Sequence, residues 1–474
     1  MSYEVVIGLE IHSELKTNTK AFCTCQNKFG LPINTATCPV CMGLPGALPV
    51  INMQAVKYSI KSGLAFDCKI NNKVVFERKN YYYPDLSKSY QISQLEFPVA
   101  VEGKIRYKHD GQEKVCRINN IHMEEDAGKN IHDDKNKISL VDFNRCGVPL
   151  IEIVTEPDIR SSEEAVKVLE SIKETLMAIG VSDCKMQEGS LRCDVNISIH
   201  KPNEPFGTRT EMKNLNSFKA VARAIDYEVA RQTQLLESGN KVVQETRRWD
   251  DVKGMNYALR SKENSNDYRY FPDPDLKPVE ITQSYIQSIK EEITELPYDK
   301  KERYEKVLGL PQHDINVLTI DSRVSDYFEN CIKLYDKPKV VSNWVMGDVL
   351  KKVKEDFSEN YEIKISPENL VQLIKMVENK QLSVNGSKEV LDFIWGTNLT
   401  PSSACEQLGL TQTNDAGEIE TIINQVLAEN EKAVQDYKSG NERTFTFLVG
   451  QVMKLSKGKA NAQLARELLL EKLK

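Results

Sequence analysis

Gly8-Leu9-Glu10-Ile11-His12, read together with His122-Met123-Glu124-Glu125-Asp126-Ala127-Gly128-Lys129, decides the expected architecture. Both segments read as extended strands. Successive side chains on a strand alternate between faces, so Glu10 and His12 share one face while Glu124 and Glu125 point to opposite faces. Oxygen-rich sites with few histidines suit Mg²⁺ or Mn²⁺ rather than zinc, and such sites complete their octahedron with water and phosphate oxygens. The chemistry suggested is phosphoryl transfer. Taken singly, the same segments are edge strands carrying solvated acids.

Outward from these strands, the texture of the chain changes near residue 275. Before it, short alternating or apolar runs such as Tyr3 to Leu9, Gln91 to Val101, Ile138 to Phe143, Pro149 to Val154 and Asp194 to Ile199 alternate with Gly, Pro and Asn turns, which predicts a sheet. Two helices interrupt it. One starts at the capping box Ser161-x-x-Glu164, carries Val168, Leu169, Ile172, Leu176 and Ile179, and stops at Gly180. The second runs from about Asn216 to Gly239 with Phe218, Val221, Ala222, Ile225 and Val229 on its apolar face. Asp267-Tyr-Arg-Tyr-Phe-Pro-Asp-Pro-Asp275 reads as an extended excursion that closes the sheet domain.

Beyond it, Ser284 to Leu296, Lys300 to Leu308, Val324 to Tyr335, Ser342 to Phe357 and Pro367 to Glu378 read as amphipathic helices without a chemical motif, hence scaffold or docking surface. A small module follows from about Thr400, with Glu418 to Tyr437 helical. Residues 441–474 hold seven Lys and Arg against three Glu, a local net charge of +4. The whole chain of 474 residues carries 63 basic and 69 acidic residues, a net −6, so any nucleic-acid contact must be local. Length alone suggests about three domains. No apolar run approaches the roughly 20 residues of a bilayer span, and Met1-Ser2-Tyr3-Glu4-Val5 shows no targeting pattern, so a soluble cytoplasmic protein is expected, without membrane contact.

Cysteine spacing carries a separate signal. Cys23-x-Cys25 and Cys38-x-x-Cys41 bracket a loop in the arrangement by which four thiolates close around a structural Zn²⁺; reduced free thiols or a redox pair are the alternatives. Cys68, Cys116, Cys146, Cys184, Cys193, Cys331 and Cys405 are scattered and expected to act as small buried apolar residues. Arg78 to Gln94 packs cations, tyrosines and amides into one stretch, suited to stacking on bases and holding phosphates. Glu188 to Asn196 and Arg209 to Asn216 each mix a metal-type acid with a phosphate-type cation. There is no Gly-x-x-x-x-Gly-Lys-Ser/Thr loop, no Gly-x-Gly-x-x-Gly turn, no Gly-x-Ser-x-Gly elbow and no His-Glu-x-x-His, so a nucleotide would be held through metals and side chains.

Together, Val6-Ile-Gly-Leu-Glu10-Ile-His12, Lys79-Asn-Tyr-Tyr-Tyr-Pro-Asp85 with Tyr90-Gln-Ile-Ser-Gln94, His122 to Lys129, Gly189-Ser-Leu-Arg-Cys-Asp194 with Leu215-Asn-Ser-Phe218, Asp267 to Pro272, Gly450-Gln-Val-Met-Lys454 and Lys457-Gly-Lys-Ala-Asn461 resemble the B subunits of the aspartyl/glutamyl-tRNA(Asn/Gln) amidotransferases over nearly the whole chain. The resemblance implies an α+β fold: a glutamine-synthetase-like antiparallel cradle with the cysteine loop over residues 1–293, a helical domain over 294–405 and a tRNA-contacting tail over 406–474. It implies ATP-dependent conversion of Glu-tRNA(Gln) or Asp-tRNA(Asn) to the amide through an acyl phosphate. Ammonia would come from the amidase, or A, subunit, with the small C subunit completing a heterotrimer. By the same resemblance Glu10, His12, Glu124, Glu125, Asp194 and Glu211 are the Mg²⁺ ligand candidates. Lys79, Lys88, Arg192 and Lys213 are phosphate or carboxylate clamps, and Tyr81 joins Lys79, Arg192 and Lys213 at the nucleotide. Ser89 stands where the family usually carries Gly or Ala after the lysine. The rival readings are a metal-dependent hydrolase, which would turn over without ATP, and a non-catalytic RNA-binding zinc protein, which leaves the acids unexplained.

Overall fold

The computed structural model describes every residue except 1–2, 134, 262–264, 356–360, 411–415, 442, 457–459 and 474. It divides into two units, Met1–Lys300 and Lys301–Lys474. The fold is α+β. The first unit is built on a nine-stranded sheet whose order is Met255–Ser261, Glu245–Asp250, Thr210–Leu215, Leu191–His200, Glu4–Glu14, Pro149–Thr155, Gln112–Glu125, Ala100–His109 and Lys69–Ile70. Neighbours run antiparallel except Thr210–Leu215 against Glu245–Asp250. The Glu4–Glu14 strand is central, longer than the expected Tyr3 to Leu9, and flanked on both sides by hydrogen-bonded partners.

Register then sorts the side chains. Glu10 lies opposite Val154 and Asp194, His12 opposite Glu152 and Arg192, Glu152 opposite His122, and Asn196 opposite Glu211. Paired residues share a face, so the acids and cations of five strands project together. The intervening residues Leu9, Ile11, Ile151, Ile153, Val195 and Ile197 are fully buried on the opposite face, in one apolar core with Val168, Leu169, Ile172 and Leu176 of one helix and Val221, Ala224 and Ile225 of another. A one-residue slip would exchange the two sets, so burying the apolar face fixes the position of the polar one.

Those helices span Ser162–Ala178 and Phe218–Glu237. Ser161 caps the first by accepting from Glu164 N at 3.1 Å, while Glu164 Oε2 accepts from Arg160 N at 2.9 Å, one residue before the expected box partner. The chain leaves it through Gly180 at φ +72°, a left-handed conformation that glycine adopts without a Cβ penalty. On the second helix the buried face is Ala220, Val221, Ala224, Ile225, Glu228 and Gln232; Ala222 lies half-buried beside it.

Two expected strands are corrected. Gln91 to Val101 divides into Tyr90–Ser93 and Ala100–His109. The break follows from Gln94, which turns inward: its Nε2 donates to Val75 O at 3.1 Å and Phe97 O at 2.9 Å, and its Oε1 accepts from Met123 N at 2.8 Å. The Asp267 segment begins in a short 3₁₀ turn, Ser265–Tyr268, before Phe271–Pro272 pairs with Glu77–Asn80.

The second unit is helical among the described residues. Its buried apolar residues form two sets, one from Tyr304 to Cys405 and one from Ile419 to Leu473. The expected helix from Glu418 to Tyr437 is two, Ala416–Glu429 and Glu431–Lys438, parted at Asn430, whose side chain donates to Val426 O at 2.9 Å. Gly450 to Lys454 lie on the helix Arg443–Leu455, and Lys457 to Lys459 fall outside the described residues. No described helix is long and apolar enough to cross a membrane.

Candidate functional site

The polar face of the sheet carries two clusters. Glu10, Asp194 and Glu211 each offer a carboxylate oxygen within 4.8 Å of the others, and His12, Glu124 and Glu152 do the same with one ring nitrogen. In the first, Asn196 Nδ2 donates to Glu10 Oε1 at 2.8 Å, buried Thr246 donates to Glu211 Oε2 at 2.6 Å, and Lys213 Nζ lies 2.5 Å from Asp194 Oδ2 and 3.4 Å from Glu211 Oε1. In the second, His12 Nε2 lies 3.4 Å from Glu124 and 3.3 Å from Glu152, and His122 Nε2 lies 3.2 Å from Glu152. Three carboxylates gather beside one lysine in the first cluster, and that donor set fits a hard divalent cation.

Electrostatics agree. Burial would lower the His12 pKa, but Glu152, by charge and hydrogen bond, and then Glu124 raise it to about 9. His122 is raised by the same two acids against its burial. Glu152 is held well below the usual carboxylate range by the two histidines, against the burial that would raise it. Without a metal the imidazolium of His12 supplies the positive charge that these acids demand, a proton that a bound cation would displace.

The clamp candidates surround the clusters. Arg192 Nη2 donates to Asp126 Oδ2 at 2.8 Å, and Arg145 Nε lies 3.3 Å from the same oxygen. Buried Arg192 Nε has no hydrogen-bond partner among the described residues, which leaves a donor for a ligand. Burial and Asp126, against Arg192 and Arg145, raise the Glu14 carboxyl to about 7. Lys79 Nζ sits 4.9 Å above the Tyr268 ring and 5.9 Å from Tyr81. Burial and then the charge of Glu124 push the phenols of Tyr81 and Tyr270 upward.

Glu125 stands apart from both groups, on the opposite face of its strand from Glu124. Its Oε1 pairs with Lys88 and accepts from Ile92 N at 2.9 Å. Lys88 is accordingly held at Glu125 rather than at the acid clusters.

The sulfurs of Cys23, Cys25, Cys38 and Cys41 also lie within 4.8 Å of one another. Cys38 N donates to Cys41 Sγ at 3.2 Å. Fully buried Lys20 places its ammonium 2.7 Å from Ala36 O, 3.6 Å from Cys41 Sγ and 3.4 Å from Phe143 O, so sulfur supplies its counter-charge. A hydrogen bond from Cys23, with Cys38 N and Lys20, brings the Cys41 thiol down to about 4 despite burial. Four sulfurs, an N–H···S bond and a buried cation fit a closed zinc site. The other seven cysteines are all buried.

Residues 5–287 match the family described as the GatB/GatE catalytic domain, and residues 326–473 match the GatB domain. The chain belongs to the GatB family. It is 52% identical over 477 residues to the B subunit of the aspartyl/glutamyl-tRNA(Asn/Gln) amidotransferase of Caldicellulosiruptor saccharolyticus, covering 100% of this chain and 99% of the relative. The corresponding B subunit of Thermoanaerobacter pseudethanolicus is 48% identical with both chains fully covered, and the B subunit numbered 1 of Clostridium acetobutylicum is 49% identical over 100% of this chain and 99% of its own.

Within this GatB-family chain, Glu152, Glu14 and Arg145 lie outside the segments that the sequence singles out for chemistry, while His122 and Asp126 belong to the acidic segment without a role assigned to them there. The available signal at Glu152 was a lone acid inside the apolar run Pro149-Leu-Ile-Glu-Ile-Val154. A charge in a strand otherwise largely buried must find partners, and here they are two histidines.

Proposed function

We propose that this chain performs ATP-dependent amidation of misacylated tRNA, converting Glu-tRNA(Gln), Asp-tRNA(Asn) or both, as the B subunit of a heterotrimer with an amidase and a small third protein in the cytoplasm. The observation that carries the reading is the pair of acid clusters on one sheet face, flanked by Lys213 and Arg192. Glu10, Asp194 and Glu211 would hold one Mg²⁺ and His12, Glu124 and Glu152 another, supplying charge neutralisation for the transferred phosphoryl group. The substrate carboxylate is its own nucleophile. It attacks the γ-phosphorus and ADP leaves; ammonia then attacks the acyl carbon, phosphate leaves, and the surplus proton passes to a base or water. This chemistry asks the protein for alignment and charge, not a side-chain nucleophile. Lys213 and Arg192 would orient phosphate oxygens, and Lys79 with Tyr81 would meet the nucleotide. The Cys23, Cys25, Cys38 and Cys41 set would hold Zn²⁺ in a bracing role.

Residues 1–293 form the cradle in this reading, 294–405 the helical domain and 406–474 the tail that meets tRNA, in keeping with three separate apolar cores. The test is amidation by the reconstituted heterotrimer. ATP and ammonium should convert Glu-tRNA(Gln) to Gln-tRNA(Gln) with one ADP per amide, and a Glu10→Ala/Glu152→Ala variant should lose conversion. Turnover without ATP would favour the hydrolase, and tRNA binding with no turnover the RNA-binding protein.

A further inference from the structure

The cysteine loop is built against Lys88. Ser87 Oγ donates to Cys41 O at 2.6 Å and lies 3.3 Å from Cys146 Sγ, which in turn donates to Cys41 O at 3.4 Å. Two residues beyond Cys41, Gly43 adopts φ +66°, and a Cβ there would fall 2.6 Å from Lys88 Cγ and 3.2 Å from Lys88 Cα, so glycine lets the loop press on the lysine. Beside Lys88 lies a cavity of about 190 Å³ lined by Val40, Gly43, Leu44 and Ala47 of the loop and by Tyr90 and Ile92. The loop is therefore the wall that holds it.

Backbone strain points the same way. Ser89 follows Lys88 in the left-handed region at φ +60°, in a turn closed by Ser89 N donating to Leu86 O at 3.1 Å. A non-glycine residue there is costly and persists where its surroundings over-determine the conformation. Ser87, bound to the Cys41 carbonyl, supplies that determination. At the far end of the side chain Lys88 Nζ pairs with Glu125 and lies 5.3 Å from the Tyr90 ring.

We infer that the four-cysteine loop is a positioning device for Lys88: the Cys41 carbonyl and Gly43 hold the Leu86–Ser89 turn so that the lysine reaches Glu125, and opening the loop by metal loss releases it. The catalytic consequence rests on the amidation reading; the structural one does not. Zn²⁺ would act here only by closing the loop around Cys23, Cys25, Cys38 and Cys41.

The experiment uses the assembled heterotrimer, with zinc removed by a zinc-selective chelator and Mg²⁺ restored, beside Ser87→Ala and Ser87→Thr. Lys88 is read by acetic anhydride labelling and peptide mass spectrometry, with zinc content measured in parallel. Zinc removal and Ser87→Ala should each raise the Lys88 labelling rate roughly tenfold, the fold-change for losing one buried hydrogen bond. Ser87→Thr, which keeps the hydroxyl, should restore it, and chelation should add little to Ser87→Ala because both break one link. In the zinc-free protein and in Ser87→Ala, kcat for amidation should fall roughly ten- to a hundredfold with the KM for ATP unchanged. Lys88 labelling that ignores zinc removal, or independent multiplicative effects of chelation and Ser87→Ala, overturns the inference. Altered labelling with unaltered kcat overturns the consequence for amidation and leaves the positioning of Lys88 intact.

Discussion

Glu152→Gln is the sharpest perturbation of the site, because it removes one charge, keeps shape and hydrogen bonding, and strikes a residue that two histidines share at 3.3 and 3.2 Å. The His12 pKa is raised from 6.5 to about 9, with burial opposing and Glu152 the largest favourable cause. A rise of that size is worth about 3 kcal/mol of preference for the imidazolium. Glu124 remains 3.4 Å away, so the variant keeps part of it. His12 in metal-free Glu152→Gln should therefore titrate well below 9, and below 6.5 where burial outweighs Glu124. Because the folded pKa is raised, its stabilisation is complete below the unfolded value and lost as pH climbs through about 9. Metal-free protein should thus lose stability between about pH 6.5 and 9, and Glu152→Gln should flatten that loss. The assay is NMR of the histidine ring protons across pH, with thermal unfolding at each pH. A His12 titration indifferent to Glu152→Gln would refute the coupling.

Other consequences are equally direct. Fully buried Glu228 accepts from Thr210, Arg231, Gln232 and Asn256 at 2.6 to 2.9 Å, and Arg231 and Gln232 hold its pKa down against burial. Its stabilisation is present above the unfolded carboxyl pKa and lost as pH falls through the folded one, so Glu228→Gln should cost about 3 kcal/mol at pH 7 and less in acid, read by urea unfolding. Lys213→Met removes the cation from the three-carboxylate cluster; Mn²⁺ affinity without nucleotide should hold or rise while kcat falls roughly a hundredfold, and a parallel loss of both would contradict its place at the phosphate. Ile153→Ala empties a fully buried site between Ile11 and Ile121 and should cost about 2–5 kcal/mol, read in the denaturation midpoint.

The centre of the sheet was legible because Glu10, His12 and Asp194 sit on strands whose alternate residues are apolar, and alternation specifies a face; the strand of Glu211 alternates with Thr210, Met212 and Asn214 and carries no such pattern. Glu245-Thr-Arg-Arg-Trp-Asp250 is also a strand, yet its charges carry no such pattern; it is held by pairing on both sides and by Trp249, which is buried. Glu152 and Glu228 escaped for a related reason. Each is an acid between apolar sequence neighbours; the histidines at Glu152 and the Thr210 and Asn256 partners of Glu228 come from other elements that no local window contains, while Arg231 and Gln232 lie one turn along the same helix. Glu124 and Glu125 are adjacent in one acidic string; alternation along the strand separates their faces in the sequence, whereas the pairing of Glu125 with Lys88 depends on the tertiary fold. The zinc-type spacing gave the cysteine cluster directly, whereas its contact with Ser87 and Lys88 depends on the tertiary fold.

The claim on which the account turns is that one sheet face gathers two cation sites, and counting Mn²⁺ by electron paramagnetic resonance with a non-hydrolysable ATP analogue tests it most directly. Two ions should bind per chain, one vanishing in Glu10→Ala/Glu211→Ala and the other in His12→Ala/Glu152→Ala. Retention of both ions in either variant, or the binding of none to the unaltered protein, would contradict it.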